Sequence, residues 1–171
     1  MHLRLLPALA ISALTIVFIS CKKNSDHDYY VKLKINGNWI TWKTVAGELG
    51  PDLGDPSKTD FGVTANNDNS TDIFDISVQV DGSSFNTGSY ASDNNSYLVL
   101  VSYAKDVTSP SGKFYDIIDA PTGPPSKYTI NVSSITSTEL RGSFTGNYLT
   151  EFISGETLNV TEGEFFVKRV R

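Results

Sequence analysis

The chain is poor in the residues that most catalytic and metal centres require. A single cysteine, Cys21, and two histidines, His2 and His27, occur in 171 residues, all of them near the N-terminus. One cysteine cannot form a disulfide within the chain, and ordinary zinc sites lack their His and Cys donors. A Ser-His-Asp triad inside a domain that begins after residue 28 is excluded for want of a histidine. Neither the G-x-G-x-x-G fingerprint nor the P-loop pattern is present, so the usual phosphate cradles are missing. Positive charge is also sparse: 14 Lys and Arg stand against 19 Asp and Glu, for a net charge of −5. The basic residues are scattered, apart from Lys22-Lys23 and Lys168-Arg169-Arg171. Nucleic-acid binding rests on phosphate neutralisation by Lys and Arg, and this balance argues against it.

No apolar run reaches the roughly 20 residues that a membrane-spanning helix needs. The longest, residues 5–20, is interrupted by Pro7 and preceded by Arg4. A basic start, a greasy stretch and a small residue at Ser20 are the layout of a secretory signal peptide. An A-x-A-like cleavage site is absent. Phe18-Ile19-Ser20-Cys21 instead resembles a bacterial lipobox, in which the cysteine is lipidated and becomes the new N-terminus. The bland alternative is a free cysteine that ends the apolar segment by chance. The resemblance implies residues 1–20 as a lipoprotein signal peptide and Cys21 as the site of lipid attachment, which would remove it as a nucleophile. Residues 21–28 then form a polar tether, and residues 29–171 a single domain. A single acyl chain anchors only marginally, at about 0.8 kcal/mol per buried methylene. Mature lipoproteins of this kind carry more than one, which makes the anchor stable. Lys22 stands where an inner-membrane retention aspartate would sit, so the resemblance points to the outer membrane, on its periplasmic or cell-surface face. Cleavage removes one arginine and no acid, which takes the net charge from −5 to −6.

From Tyr29 onward, period-two alternation dominates, with Gly, Asn, Asp and Ser between the runs. The clearest unit is "YYVKLKINGNWITWK", where Asn36-Gly37 predicts a two-residue hairpin. That register sets Lys34 against Trp39, Leu33 against Ile40 and Val31 against Trp42. Trp42 would then face the core, and Trp39 the opposite face beside Lys34; a one-residue slip would exchange them. The Gly- and Pro-rich residues 45–60 read as a loop with at most one helical turn. Strands follow at 61–65, 73–80, 97–103, 114–118, 128–132, 140–148 and 158–170. Residues 97–103 are apolar on both faces, which predicts a strand covered on both sides. Residues 140–148 place Leu140, Phe144 and Tyr148 on one face, and Gly142 and Gly146 between them suggest bulges or close approach of a neighbour. The expectation is an all-β domain, an antiparallel β-sandwich or a partly closed β-barrel of about eight to ten strands.

Three short motifs, Asn36-Gly37 with Trp39, Leu140–Phe144 ("L-x-G-x-F") and Thr161–Phe165 ("T-x-G-x-F"), resemble a family of small all-β bacterial lipoproteins classed as a domain of unknown function. The resemblance implies an extracytoplasmic all-β domain and supplies no activity.

Carboxylates remain as possible catalytic groups, and glycoside hydrolysis needs only two across a cleft. Glu162 with Glu164, and Asp116 with Asp119, are candidate pairs, though surface carboxylates explain the same residues. Asn66, Asp68, Ser70 and Asp72 place oxygens at alternate positions, as a calcium loop would, but the EF-hand glycine and glutamate are missing and a polar turn accounts for them. Tyr90, Tyr97, Tyr103, Tyr115, Tyr128 and Tyr148 are read as core or cross-strand residues rather than a stacking platform. Trp39, with Lys34 beside it, is the expected ligand contact. No metal or cofactor is implied. The leading expectation is a non-enzymatic module, held to the membrane by its N-terminal lipid, that binds a glycan, a protein or a small apolar ligand. The alternatives are a carboxylate-dependent envelope hydrolase and a structural envelope subunit.

Overall fold

A computed structural model describes residues 28–117 and 125–171. Cys21, the signal segment, the tether up to His27, and Asp119 lie outside the described residues. Thirteen strands and no helix occur among those that are described. They are β1 (Tyr30–Ile35), β2 (Asn38–Trp42), β3 (Thr44–Pro51), β4 (Lys58–Asn66), β5 (Ile73–Asp81), β6 (Gly88–Ala91) and β7 (Tyr97–Lys105). There follow β8 (Lys113–Asp116), β9 (Tyr128–Ile135), β10 (Glu139–Gly146), β11 (Leu149–Glu151), β12 (Thr157–Leu158) and β13 (Val160–Lys168). Two antiparallel sheets result, β2-β1-β13-β10-β9-β6 and β12-β11-β8-β7-β5-β4-β3. This is a β-sandwich; the sheets do not close into a barrel, and the strands outnumber the expected eight to ten because short pieces such as β6, β11 and β12 carry little periodicity of their own.

The first hairpin forms as its sequence dictates. Asn36 and Gly37 both adopt positive φ, 48° and 83°, the requirement of a type I′ turn whose twist matches the flanking strands. The register pairs Lys34 with Trp39, Leu33 with Ile40 and Val31 with Trp42. Trp42 is accordingly 6% exposed and stacks on Tyr103 of the other sheet, while Trp39 is 48% exposed. Only Lys43 separates β2 from β3, so the chain turns there from one sheet into the other. The core between the sheets is filled from both inner faces by Val31, Leu33, Phe61, Phe74, Phe144 and Phe165, among others. Phe61 meets Phe165 at 5.8 Å and Phe74 meets Phe144 at 5.2 Å between ring centroids.

Three expectations are corrected. Residues 45–60 are a loop only at 52–57: 44–51 form edge strand β3, paired with β4 from Thr59 to Asn66, and 58–60 begin β4. Gly47 is glycine there because a Cβ would lie 2.5 Å from Val167 and 2.8 Å from Leu140, side chains of the opposite sheet. Pro51 is tolerated at the end of an edge strand, where no ladder donor is lost. Strand β7 is covered on one side only, since Leu98 and Leu100 are 50% and 42% exposed on the outer face. Strand β10 ends at Gly146, which leaves the half-buried Tyr148 beyond it. The two glycines inside β10 behave as expected. The β9–β10 register shifts beside Gly142, and Gly146 lies under the ring of Tyr128.

Candidate functional site

Side chains alternate across a strand, so the pairings that bury Val31, Leu33, Phe144 and Phe165 place their neighbours on the outer face of the first sheet. Lys32 of β1 stands opposite Glu164 of β13, and Glu164 opposite Ser143 of β10. Ser143 in turn faces Asn131 of β9. In the adjacent row, Trp39 of β2 pairs with Lys34 of β1, and Glu162 of β13 with Thr145 of β10. A shallow groove of about 350 Å³ runs between these rows, lined by Lys32, Trp39, Ser143, Thr145, Glu162 and Glu164.

The indole is held by cations. Lys32 Nζ sits 4.5 Å from the Trp39 ring centroid and Lys34 Nζ 5.7 Å from it. Lys34 Nζ also donates to Glu162 Oε1 at 2.9 Å. One row further along, the Arg141 guanidinium lies 3.6 Å over the Phe166 ring and 3.7 Å from Glu139 Oε2. Burial, and then the neighbouring Glu164 carboxylate, push the Tyr30 hydroxyl above its ordinary pKa. Lys34 and Arg141 thus each have a carboxylate within 4 Å, while Lys32 faces Glu164 only across the ladder. The face is polar, aromatic at one end and close to neutral.

Both expected ligand contacts, Trp39 and Lys34, lie on this face together. Glu162 and Glu164 lie there too, but two residues apart on one strand, side by side rather than across a cleft. Asp116 sits on the other sheet, with its carboxyl raised by burial and its Oδ1 accepting from the Ile117 N–H at 2.6 Å. The loop after β4 closes on itself. Asn67 Oδ1 accepts from the N–H groups of Thr71 and Asp72, while Asp72 Oδ2 accepts from the Tyr103 hydroxyl at 2.8 Å. Among the described residues, no group of three His, Cys, Asp or Glu is placed to hold a metal ion. Tyr103, Tyr115 and Tyr128 are buried in the core, and Tyr90 packs between Phe85 and Tyr97.

Sequence reasoning missed Lys32, Glu164, Ser143 and Thr145 as partners of Trp39. Alternation along β1 was a sufficient signal for Lys32, which shares a face with Lys34. The others come from the far end of the chain and depend on β13 pairing with β1.

No protein-family model matches the chain, and no curated protein or solved structure is detectably similar to it.

Proposed function

We propose that the chain is an outer-membrane-tethered, non-enzymatic binding module that meets its ligand on the outer face of the first sheet, around Trp39. One observation carries the reading: of the two tryptophans, Trp42 is used by the core, whereas Trp39 is 48% exposed beside a groove on the outer face of the sheet. A large aromatic with a polar surround is what binding sites place where one side of a ligand is apolar and the other wet. The tether rests on Cys21 and its lipobox-like context. Mass spectrometry of the native chain should find an acylated Cys21 at the N-terminus, and Cys21→Ser should release the protein from the membrane fraction. An intact leader or a free thiol would remove the tether from the proposal.

The binding role is tested in place. Hydroxyl-radical footprinting of intact envelopes should oxidise Trp39 several-fold more slowly than it does in the purified full chain, because a ligand covers the ring. Equal oxidation in both would mean that nothing occupies this face.

A further inference from the structure

We infer that the Trp39 face takes an uncharged glycan, laid across β2, β1, β13 and β10. The inference rests on the proposed binding role of this face and adds the chemical class of its ligand. Three features of the face select that class.

The first is charge. An anionic ligand needs an excess of cations, and here three cations (Lys32, Lys34, Arg141) stand against three carboxylates (Glu139, Glu162, Glu164). Lys34 is bonded to Glu162, Lys32 stands opposite Glu164, and Arg141 has Glu139 beside it and Phe166 beneath it. A polyanion or a polycation would meet no net attraction on this face, and would have to displace the Lys34–Glu162 pair. The second is the mixture of donors and acceptors. Across the strands, one row reads ammonium, carboxylate, hydroxyl and amide (Lys32, Glu164, Ser143, Asn131), and the next reads indole, ammonium, carboxylate and hydroxyl (Trp39, Lys34, Glu162, Thr145). A sugar hydroxyl both donates and accepts, so it can bridge an ammonium and a carboxylate that already face one another. Side chains in each row recur every ~4.8 Å, the spacing between strands. That interval is close to the repeat of an extended hexopyranose chain. The third is the indole itself. A pyranose ring has an apolar C–H face and a hydroxyl rim, and the exposed half of Trp39 offers an apolar surface beside the ammonium groups of Lys32 and Lys34 that lie over its ring. A purely apolar ligand would instead strand the lysines and glutamates against hydrocarbon, at a cost that buried charges do not recover.

The test uses the full chain in a non-glycosidic detergent. Cellohexaose, laminarihexaose, xylohexaose and mannohexaose are the neutral probes, with hexagalacturonate and a chitosan hexamer as charged ones. Binding is read by calorimetry and by the shift in tryptophan emission. The expected result is saturable binding of at least one neutral hexamer, little changed between 0.1 M and about 1 M salt, since screening acts on net charge attraction. Trp39→Ala should weaken it by about tenfold or more, equivalent to ~1.4 kcal/mol. Trp39→Phe should recover part of the loss, and Glu164→Gln should weaken binding several-fold with the near-UV spectrum of the fold unchanged. The inference is overturned if no neutral hexamer binds, if a charged hexamer binds more tightly and in a salt-dependent manner, or if Trp39→Ala binds as the parent does. A silent panel with Trp39 still protected in envelopes sinks the glycan class alone. A silent panel with Trp39 unprotected sinks the binding role as well.

Discussion

Trp42→Ala and Trp39→Ala differ by three positions in sequence and should differ several-fold in cost. Trp42 is 6% exposed, and its ring stacks on Tyr103 at 6.0 Å with an interplanar angle of 25°. Truncation there opens a cavity at the corner where the chain passes between the sheets, a change that costs about 3–5 kcal/mol for a buried Trp. Trp39 has half its surface in water already, and its cation contacts are worth about 0.5–1 kcal/mol at an exposed site. Its loss is therefore ~1 kcal/mol. For a domain of this size each kcal/mol moves the melting temperature by about 2–4 °C. Trp42→Ala should thus melt roughly 6–20 °C lower and Trp39→Ala no more than ~4 °C lower. Thermal melting reads the shift, and guanidinium denaturation with an unchanged slope checks that it reports stability. The opposite ranking would refute the reasoning at its root. A one-residue slip of β2 on β1 sends Trp39 inward and Trp42 outward, and with it dissolves the outer face on which the binding proposal stands.

Other perturbations test the remaining layers. Gly142→Ala drives a methyl into the Asn131 carbonyl oxygen and the Phe165 ring, and the oxygen cannot yield without opening the β9–β10 ladder. A loss of about 1–3 kcal/mol is expected by denaturation, against ~0.5 kcal/mol or less for the neighbouring Ser143→Ala. Tyr128→Phe leaves the Val160 carbonyl oxygen without the buried hydroxyl that donates to it at 2.7 Å, for a loss of ~1–3 kcal/mol in the same assay. Burial, above all, raises the Asp75 carboxyl, opposed by a hydrogen bond from Thr64. The folded state then holds this proton more tightly than the unfolded chain, so its contribution is fully favourable below the unfolded pKa of about 3.9 and is lost as pH rises through the folded one. Asp75→Asn should raise the melting temperature at pH 7, with the gain vanishing toward pH 3.5. A constant gain at every pH would refute the assignment.

What was legible in the sequence was what is local. The Asn36-Gly37 turn and the alternation on either side fix the hairpin within fifteen residues, and with it the fates of both tryptophans. Strand β3 is hidden in the sequence because Gly47, Gly50 and Pro51 give it the composition of a loop. The reason for Gly47 is a side chain more than ninety residues away, Leu140, with Val167 beside it. The second face of β7 is not legible either, because periodicity reports which side chains are apolar and is silent on whether anything covers them. Leu98 and Leu100 satisfy the pattern of a buried strand and still face outward.

The composition of the proposed site follows from one topological choice. The last strand, β13, lies between β1 and β10, and so joins the N-terminal hairpin to the β9–β10 hairpin. Without it, Lys32 and Trp39 have no Glu162, Glu164, Ser143 or Thr145 beside them. The groove is therefore complete only once the final residues have paired, although its aromatic element is specified by a turn at its beginning. Residues 28 and 29 lead straight into β1, with Asp28 near Lys43 and the Tyr29 hydroxyl donating to Glu139 at 3.2 Å. β1 is hydrogen-bonded on both sides, to β2 and to β13. The chain therefore enters the proposed binding face on a strand held by two ladders rather than on an edge strand.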